Sequence, residues 1–255
     1  MVSTNILLGA IAGITIFLGL PIARWDRVTE RIRGILTMTA AGVLLFLIIE
    51  VGYHAMETIE VAAKGSTGRL ALHFILIFIV GLSVGLIGLA WLEQGRLRKR
   101  SGGAEALEVA TMIAIGIGVH NFAEGLAIGQ SFAGGAVGLG TTLVIGFALH
   151  NATEGFGIVA PLATQDQRAT WRFLGVLGVI GGGPTLIGTL VGQSFVNDTL
   201  YLAFLALAAG SILYVVLQLF RAAFRLGHSE LLAVGLLVGL LAGFATDFVL
   251  VAAGG

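Results

Sequence analysis

The sequence predicts an all-α integral membrane protein that crosses the bilayer eight times and leaves both termini outside. Of its 255 residues, 57% are hydrophobic and 11% are charged, whereas soluble domains carry about 25% charged residues. Apolar segments long enough to cross a bilayer follow one another along the chain. Cysteine is absent and the formal net charge is zero, which excludes a thiolate metal site and gives no basic field for nucleic acid.

The spans are predicted from apolar stretches of about 20 residues, the length that crosses the hydrocarbon core. They cover residues 4–23, 34–54, 70–92, 107–131, 138–162, 171–192, 199–220 and 229–251. Each is expected to be a helix, because backbone groups in lipid must pair within their own segment. Little sequence lies between the spans, so residues 1–255 are predicted to form a single transmembrane domain. Asp198 is expected to cap the seventh span.

The loops between the spans predict the orientation. Lysine and arginine accumulate on the cytoplasmic side of membrane proteins. Of the 14 basic residues, all but Lys64 and Arg69 fall in the loops that follow the odd-numbered spans. Those loops are therefore predicted to be cytoplasmic, which places both termini outside.

Two related polar motifs lie within the fourth and fifth spans, in "GIGVHNFAEGLAIG" and "GFALHNATEGFGIV". His120 and Glu124 are four residues apart, as are His150 and Glu154, so each pair shares one helix face. Ionisable residues inside a span are costly and mark functional sites by default.

The two motifs are predicted to converge near the middle of the bilayer. The fourth and fifth spans form a hairpin that turns near residue 134, and both histidines lie about 20–24 Å from that turn at about 1.5 Å per residue. Imidazole and carboxylate together suit zinc, iron, manganese or nickel, and two carboxylates neutralise one dication. Asn121 and Asn151 add neutral oxygens beside this site.

Three alternatives remain for the motifs. Single polar residues in spans commonly form hydrogen bonds between helices. A metal with two carboxylates could activate water in an intramembrane hydrolase, although no HExxH motif occurs. A metal sensor or a structural membrane protein is the third alternative, and metal flux across sealed vesicles distinguishes all three from a carrier.

A polar stripe ends the second span, in "IIEVGYHAMETIE". Glu50, His54 and Glu57 follow the i, i+4, i+7 spacing of one helix face. They are predicted to pass metal inward from the outer side, with Asp247 near the outer end of the eighth span as a further candidate. The alternative is a solvated helix end whose acids pair with Lys64 or Arg69.

"HNFAEG" followed by "HNATEG", on the fourth and fifth of eight spans, resembles the ZIP family of divalent metal transporters. The resemblance implies a 3+2+3 arrangement of helices and alternating-access transport toward the cytoplasm. Zinc is the implied substrate, with Fe²⁺, Mn²⁺ or Cd²⁺ as alternatives. It further implies a metal site that includes His120, Asn121, Glu124, His150, Asn151 and Glu154. The implied partners are the metal ion, the lipid bilayer and a second copy of the chain, and the implied location is the plasma membrane of a prokaryote.

The chain departs from the family pattern in two places. Many family members have proline before the glutamate of each motif, where this chain has Ala123 and Thr153. Many also have a Glu-Pro pair in the sixth span that completes a second metal position, where "GGGPTLIG" places Gly183 before Pro184. A second metal ion is therefore expected to bind weakly or not at all.

Overall fold

The computed structural model describes residues 2–25, 29–64, 68–97, 104–135, 137–164, 169–194, 197–225, 227 and 229–252. At some helical positions, among them Arg69, His150 and Asp247, only the backbone is described. The regular structure in these ranges is helical. The α-helices are α1 (Val2–Ile14), α2 (Glu30–Lys64), α3 (Gly68–Ser83), α4 (Leu89–Leu97), α5 (Ala104–Ala133), α6 (Val137–Val159), α7 (Trp171–Ser194), α8 (Asp198–Arg225) and α9 (Ser229–Ala252).

Seven of the described helical segments are long and apolar enough to cross a membrane. They are Asn5–Arg24, Glu30–Val61, Leu70–Glu93, Ala106–Ala133, Leu143–Leu162, Trp171–Ser194 and Asp198–Arg225. In α9 the apolar stretch Ser229–Ala245 is shorter. The protein is therefore an all-helical, multi-pass membrane protein, while the eighth span and the outside position of both termini stay predictions.

Three spans contain irregular turns that hydropathy does not reveal, and in the fifth a 3₁₀ turn at Ala160–Thr164 follows α6. The first continues from α1 through 3₁₀ turns at Thr15–Leu18 and Leu20–Arg24, where Pro21 has no N–H to extend an α-helix. The third was expected to be one helix over residues 70–92, but a π turn at Val84–Gly88 separates α3 from α4.

Side-chain caps begin three of the helices. Thr170 Oγ1 accepts a hydrogen bond from the Phe173 N–H at 3.2 Å, and Thr29 accepts a longer one at the start of α2. At α8 the cap is Asn197, whose Oδ1 accepts from the Leu200 N–H at 3.0 Å. The expectation that Asp198 caps this helix was wrong, because the chain enters the helix one residue earlier and Asp198 lies in its first turn.

The helices pack around a continuous apolar core. α5 packs against α7 and α8, α2 packs against α8 and α9, and α1 packs against α6 and α7. Leu44, Ile113, Ile117, Ile158 and Leu219 lie in the core and are almost fully buried. The third span is peripheral, since only 11% of its apolar window is buried.

Candidate metal centre

Glycines let α5 lie directly on α7. A methyl group added at Gly125 would overlap the Thr185 carbonyl oxygen, and one at Gly188 would overlap the Phe122 carbonyl oxygen. Such contact requires residues without a side chain. It fixes the rotation of α5, and with it the side of the helix on which His120 and Glu124 lie.

Three ionisable side chains of the two motifs lie together in the interior. His120 Nε2 lies 2.8 Å from Glu124 Oε1 on its own helix and 3.9 Å from Glu154 Oε1 on α6. Their exposed fractions are 1%, 5% and 1%. The buried ionisable groups thus come from both motifs. His150 lies on α6 one turn before Glu154, but its side chain lies outside the described residues.

The distances in this cluster are close to those of a metal site. Two donor atoms on one tetrahedral zinc are about 3.4 Å apart, given zinc–donor bonds of about 2.0–2.2 Å. The two measured separations lie on either side of that value. Among the described side chains, no group of three or more His, Cys, Asp or Glu meets the geometry of a bound ion. Binding through these three residues therefore requires their side chains to adjust.

The motif asparagines are both fully buried. Asn121 Nδ2 donates a hydrogen bond to the Gly181 carbonyl of α7 at 3.0 Å, and Asn151 Nδ2 donates one to the Ala12 carbonyl of α1 at 2.9 Å. Each Oδ1 has no hydrogen-bond partner among the described residues. The amides therefore bind neighbouring helices through nitrogen and retain an oxygen that could bind metal.

A cavity of about 300 Å³ joins this cluster to the predicted outer side. Glu50, His54 and Glu57 line it from α2, and His120 and Glu124 line its inner part. Its other lining residues are Val51, Ala123, Ala127, Gln130, Ser131, Leu143, Phe147, Tyr201 and Leu205. The polar stripe of the second span therefore faces the same space as the motif of α5.

Two ion pairs lie within the outer end of α2, and the alternative of a solvated helix end stays open because the Arg69 side chain lies outside the described residues. His54 Nδ1 lies 3.7 Å from Glu57 Oε2, and the Lys64 ammonium lies 3.9 Å from a carboxylate oxygen of Glu60. Both pairs are largely exposed, so they stabilise the fold little. Asp247 lies on α9, with its side chain outside the described residues.

Comparison with known proteins identifies the family. A model described as "ZIP Zinc transporter" matches residues 93–250, which is more than half of the chain. The chain belongs to the ZIP family. Its relatives include proteins named "Zinc transporter ZIP10" from mouse and human, 35% and 37% identical over 112 residues. That alignment covers 43% of this chain and only 13% of each relative.

The sixth-span position that carries an acid in many ZIP proteins does not contact the hairpin here. A Cβ added at Gly183 would meet only Val179 of its own helix, at 3.8 Å. Gly181, by contrast, accepts the hydrogen bond of Asn121. At position 183 the chain therefore lacks the acid, and a Cβ there would not touch the helices of the two motifs.

Sequence reasoning missed the neutral polar wall of the cavity. Gln130, Ser131 and Tyr201 line it together with the acids of α2. The spacing from His120 through Glu124 and Ala127 to Ser131 follows a single helix face. Extending the motif face outward would have identified Ser131 and its neighbour Gln130. Tyr201 lies on another helix, and the motif spacing carries no signal for it.

Proposed function

We propose that this ZIP protein carries a divalent transition metal across the membrane toward the cytoplasm, with zinc as the main substrate. The observation that carries the proposal is the buried cluster of His120, Glu124 and Glu154, of which His120 and Glu124 line the inner part of a cavity. Imidazole and carboxylate are zinc ligands. The two carboxylates balance one dication, and His150 is the proposed fourth ligand.

The cavity is proposed as the outer approach to the centre. Glu50, His54 and Glu57 would attract the ion and exchange its water for protein ligands before it reaches His120. Asp247 is proposed to act at the same mouth. Mixed nitrogen and oxygen ligands suit a carrier, since binding must be weak enough to release the ion.

Alternating access is supported by what lies on the other side of the centre. Ile113 and Ile117 precede His120 by two turns and one turn on α5, and Ile158 follows Glu154 by one turn on α6. All three are fully buried, and Leu44 is buried on α2 one to two turns inward of Glu50. An ion at the centre would meet an apolar barrier toward the predicted cytoplasmic side. Release inward therefore requires the helices to rearrange.

Purified protein in liposomes tests the proposal. Saturable uptake of Zn²⁺ is expected, and side-by-side uptake of Fe²⁺, Mn²⁺ and Cd²⁺ shows whether an iron- or manganese-preferring carrier is the better description. Sidedness is tested by comparing the two orientations of the protein in the vesicles. Metal binding without flux would contradict the carrier, and turnover of a peptide or ester without flux would favour the hydrolase.

A further inference from the structure

We infer that Asn121 and Asn151 are positioning residues, each of which ties one motif helix to a backbone carbonyl of a neighbouring helix. These bonds set the directions from which the histidines and glutamates of the two motifs approach the ion. Because the asparagines are adjacent in sequence to the histidines of the proposed centre, this role rests on the proposed function.

The direction of each hydrogen bond follows from its chemistry. Gly181 and Ala12 contribute carbonyl oxygens, and a carbonyl can only accept, so the amide nitrogen must be the donor. Neither asparagine is exposed at all. A buried amide held through its nitrogen has a fixed rotation, and its helix is held with it.

The acceptor on α7 lies where proline disrupts the helix. Pro184 has no N–H, so the Ile180 carbonyl lacks its usual donor four residues ahead. Gly118 of α5 lies against that carbonyl, since a Cβ there would overlap the Ile180 oxygen. Asn121, almost one turn later on α5, binds the next carbonyl, that of Gly181.

The acceptor on α1 also lies at a helix irregularity. Ala12 is in the last turn of α1, directly before the 3₁₀ turn Thr15–Leu18. Carbonyls in a last turn lose their donors within the helix. The Ala12 carbonyl accepts from Thr15 Oγ1 at 2.8 Å as well as from Asn151.

The two asparagine hydrogen bonds end at the same crossing of α1 and α7. Gly13 and Gly182, which follow the two acceptor residues, lie directly against each other where α1 crosses α7. A Cβ on either glycine would overlap the carbonyl oxygen of the other. α5 and α6 are thus both held to one crossing. Metal–ligand distances must match within about 0.2 Å, so ligands on two helices need such a common reference.

The test uses zinc uptake into liposomes together with X-ray absorption of zinc-loaded protein, which counts imidazole ligands. Asn121→Ala and Asn151→Ala are each expected to raise the KM about ten-fold or more, as loss of an orienting partner does, and to lose one imidazole. Removal of a plain oxygen ligand would leave the imidazole count unchanged. Asn197→Ala, at the exposed cap of α8, is the matched control: it removes a cap hydrogen bond but should keep the wild-type KM and imidazole count.

A double-mutant cycle isolates the tether on α7. Pro184→Ala restores a donor to the Ile180 carbonyl and is expected to shift the Gly181 acceptor, while the sequence of α5 stays unchanged; the ring atoms that it removes lie near Gly118 of α5. It is expected to raise the KM in the wild-type and Asn151→Ala backgrounds and to add nothing to Asn121→Ala. This selective coupling would not arise from general loss of packing.

Two results would overturn the inference. One is an unchanged KM and imidazole count in both asparagine variants, and the other is additivity of Pro184→Ala with Asn121→Ala. If either asparagine variant fails to fold, Pro184→Ala by itself tests the inference. A wild-type KM in Pro184→Ala would contradict the tether. If the X-ray absorption spectrum of the zinc-loaded wild-type protein shows no imidazole ligand, the proposed function is overturned instead. The tether would then be tested by thermal unfolding midpoints, in which Asn121→Ala and Pro184→Ala must remain non-additive.

Discussion

Neutralising Glu124 is expected to impair metal binding far more than its small change in volume suggests. Glu124→Gln keeps the shape of the side chain and an oxygen that can bind metal. It removes one of the two negative charges that lie near His120 Nε2, at 2.8 and 3.9 Å. Only Glu154 would remain among the described carboxylates of the cluster to balance the ion.

The size of the effect follows from the burial of the centre. A dication facing one carboxylate leaves one positive charge uncompensated where the side chains are at most 5% exposed. Breaking a buried ion pair costs about 3–5 kcal/mol. At about 1.4 kcal/mol for each factor of ten, the zinc affinity should fall about a hundred-fold or more.

Zinc binding by isothermal titration calorimetry and initial uptake rates in liposomes measure this loss. Glu230→Gln is the matched control, because Glu230 is an exposed residue in the first turn of α9 and should have no effect. Size-exclusion elution and the thermal unfolding midpoint verify that the variant is folded. Wild-type affinity in Glu124→Gln would refute the assignment of this carboxylate to the centre.

Other perturbations test separate parts of the site. Uptake should fall as the pH drops from about 7.5 to about 5.5, because imidazole binds metal only when neutral and its ordinary pKa is about 6.5; a rate that rises over this interval would contradict histidine ligation or reveal proton coupling. The protein should bind about one zinc tightly, since the two glutamates balance a single dication. Gly183→Glu should not change that number, because a Cβ at this position would contact only its own helix. Two equally occupied zinc ions in wild type would show that a further acid such as Glu50 reaches the centre. Glu57→Gln should raise the KM and leave kcat unchanged, with an effect that salt weakens, and a fall in kcat would place Glu57 deeper in the path. Gly125→Ala should destabilise the fold by about 1–3 kcal/mol through overpacking against α7, and an unchanged unfolding midpoint would contradict that contact.

The positions of the helices follow from local properties of the sequence, while their irregularities do not. Apolar length alone predicts the sixth span at residues 171–192, and α7 covers Trp171–Ser194. The 3₁₀ turns after α1 depend on Pro21 and on contacts with α6, and the π turn at Val84–Gly88 lies where α8 approaches closely. Gly85 and Gly210 illustrate this approach, since a Cβ on either would overlap a backbone oxygen of the other helix.

The candidate centre was predictable to the extent that it depends on helix periodicity. The four-residue spacing placed His120 and Glu124 on one face of a helix. The bonds of Asn121 and Asn151 were not predictable, because their acceptors are backbone carbonyls 60 and 139 residues away in the sequence. Every residue has a backbone carbonyl, so the residue types in a motif do not reveal which carbonyl accepts the bond.

The length of α2 makes the orientation of the protein experimentally accessible. Its 35 residues extend about 52 Å at about 1.5 Å per residue, some 20 Å more than the hydrocarbon core of about 30 Å. Lys64, at its end, has a side chain that is 81% exposed. The chain contains one other lysine, Lys99, in a loop predicted to lie on the opposite face. An amine-reactive reagent that cannot cross lipid would therefore label a different lysine from each side of an intact cell or vesicle.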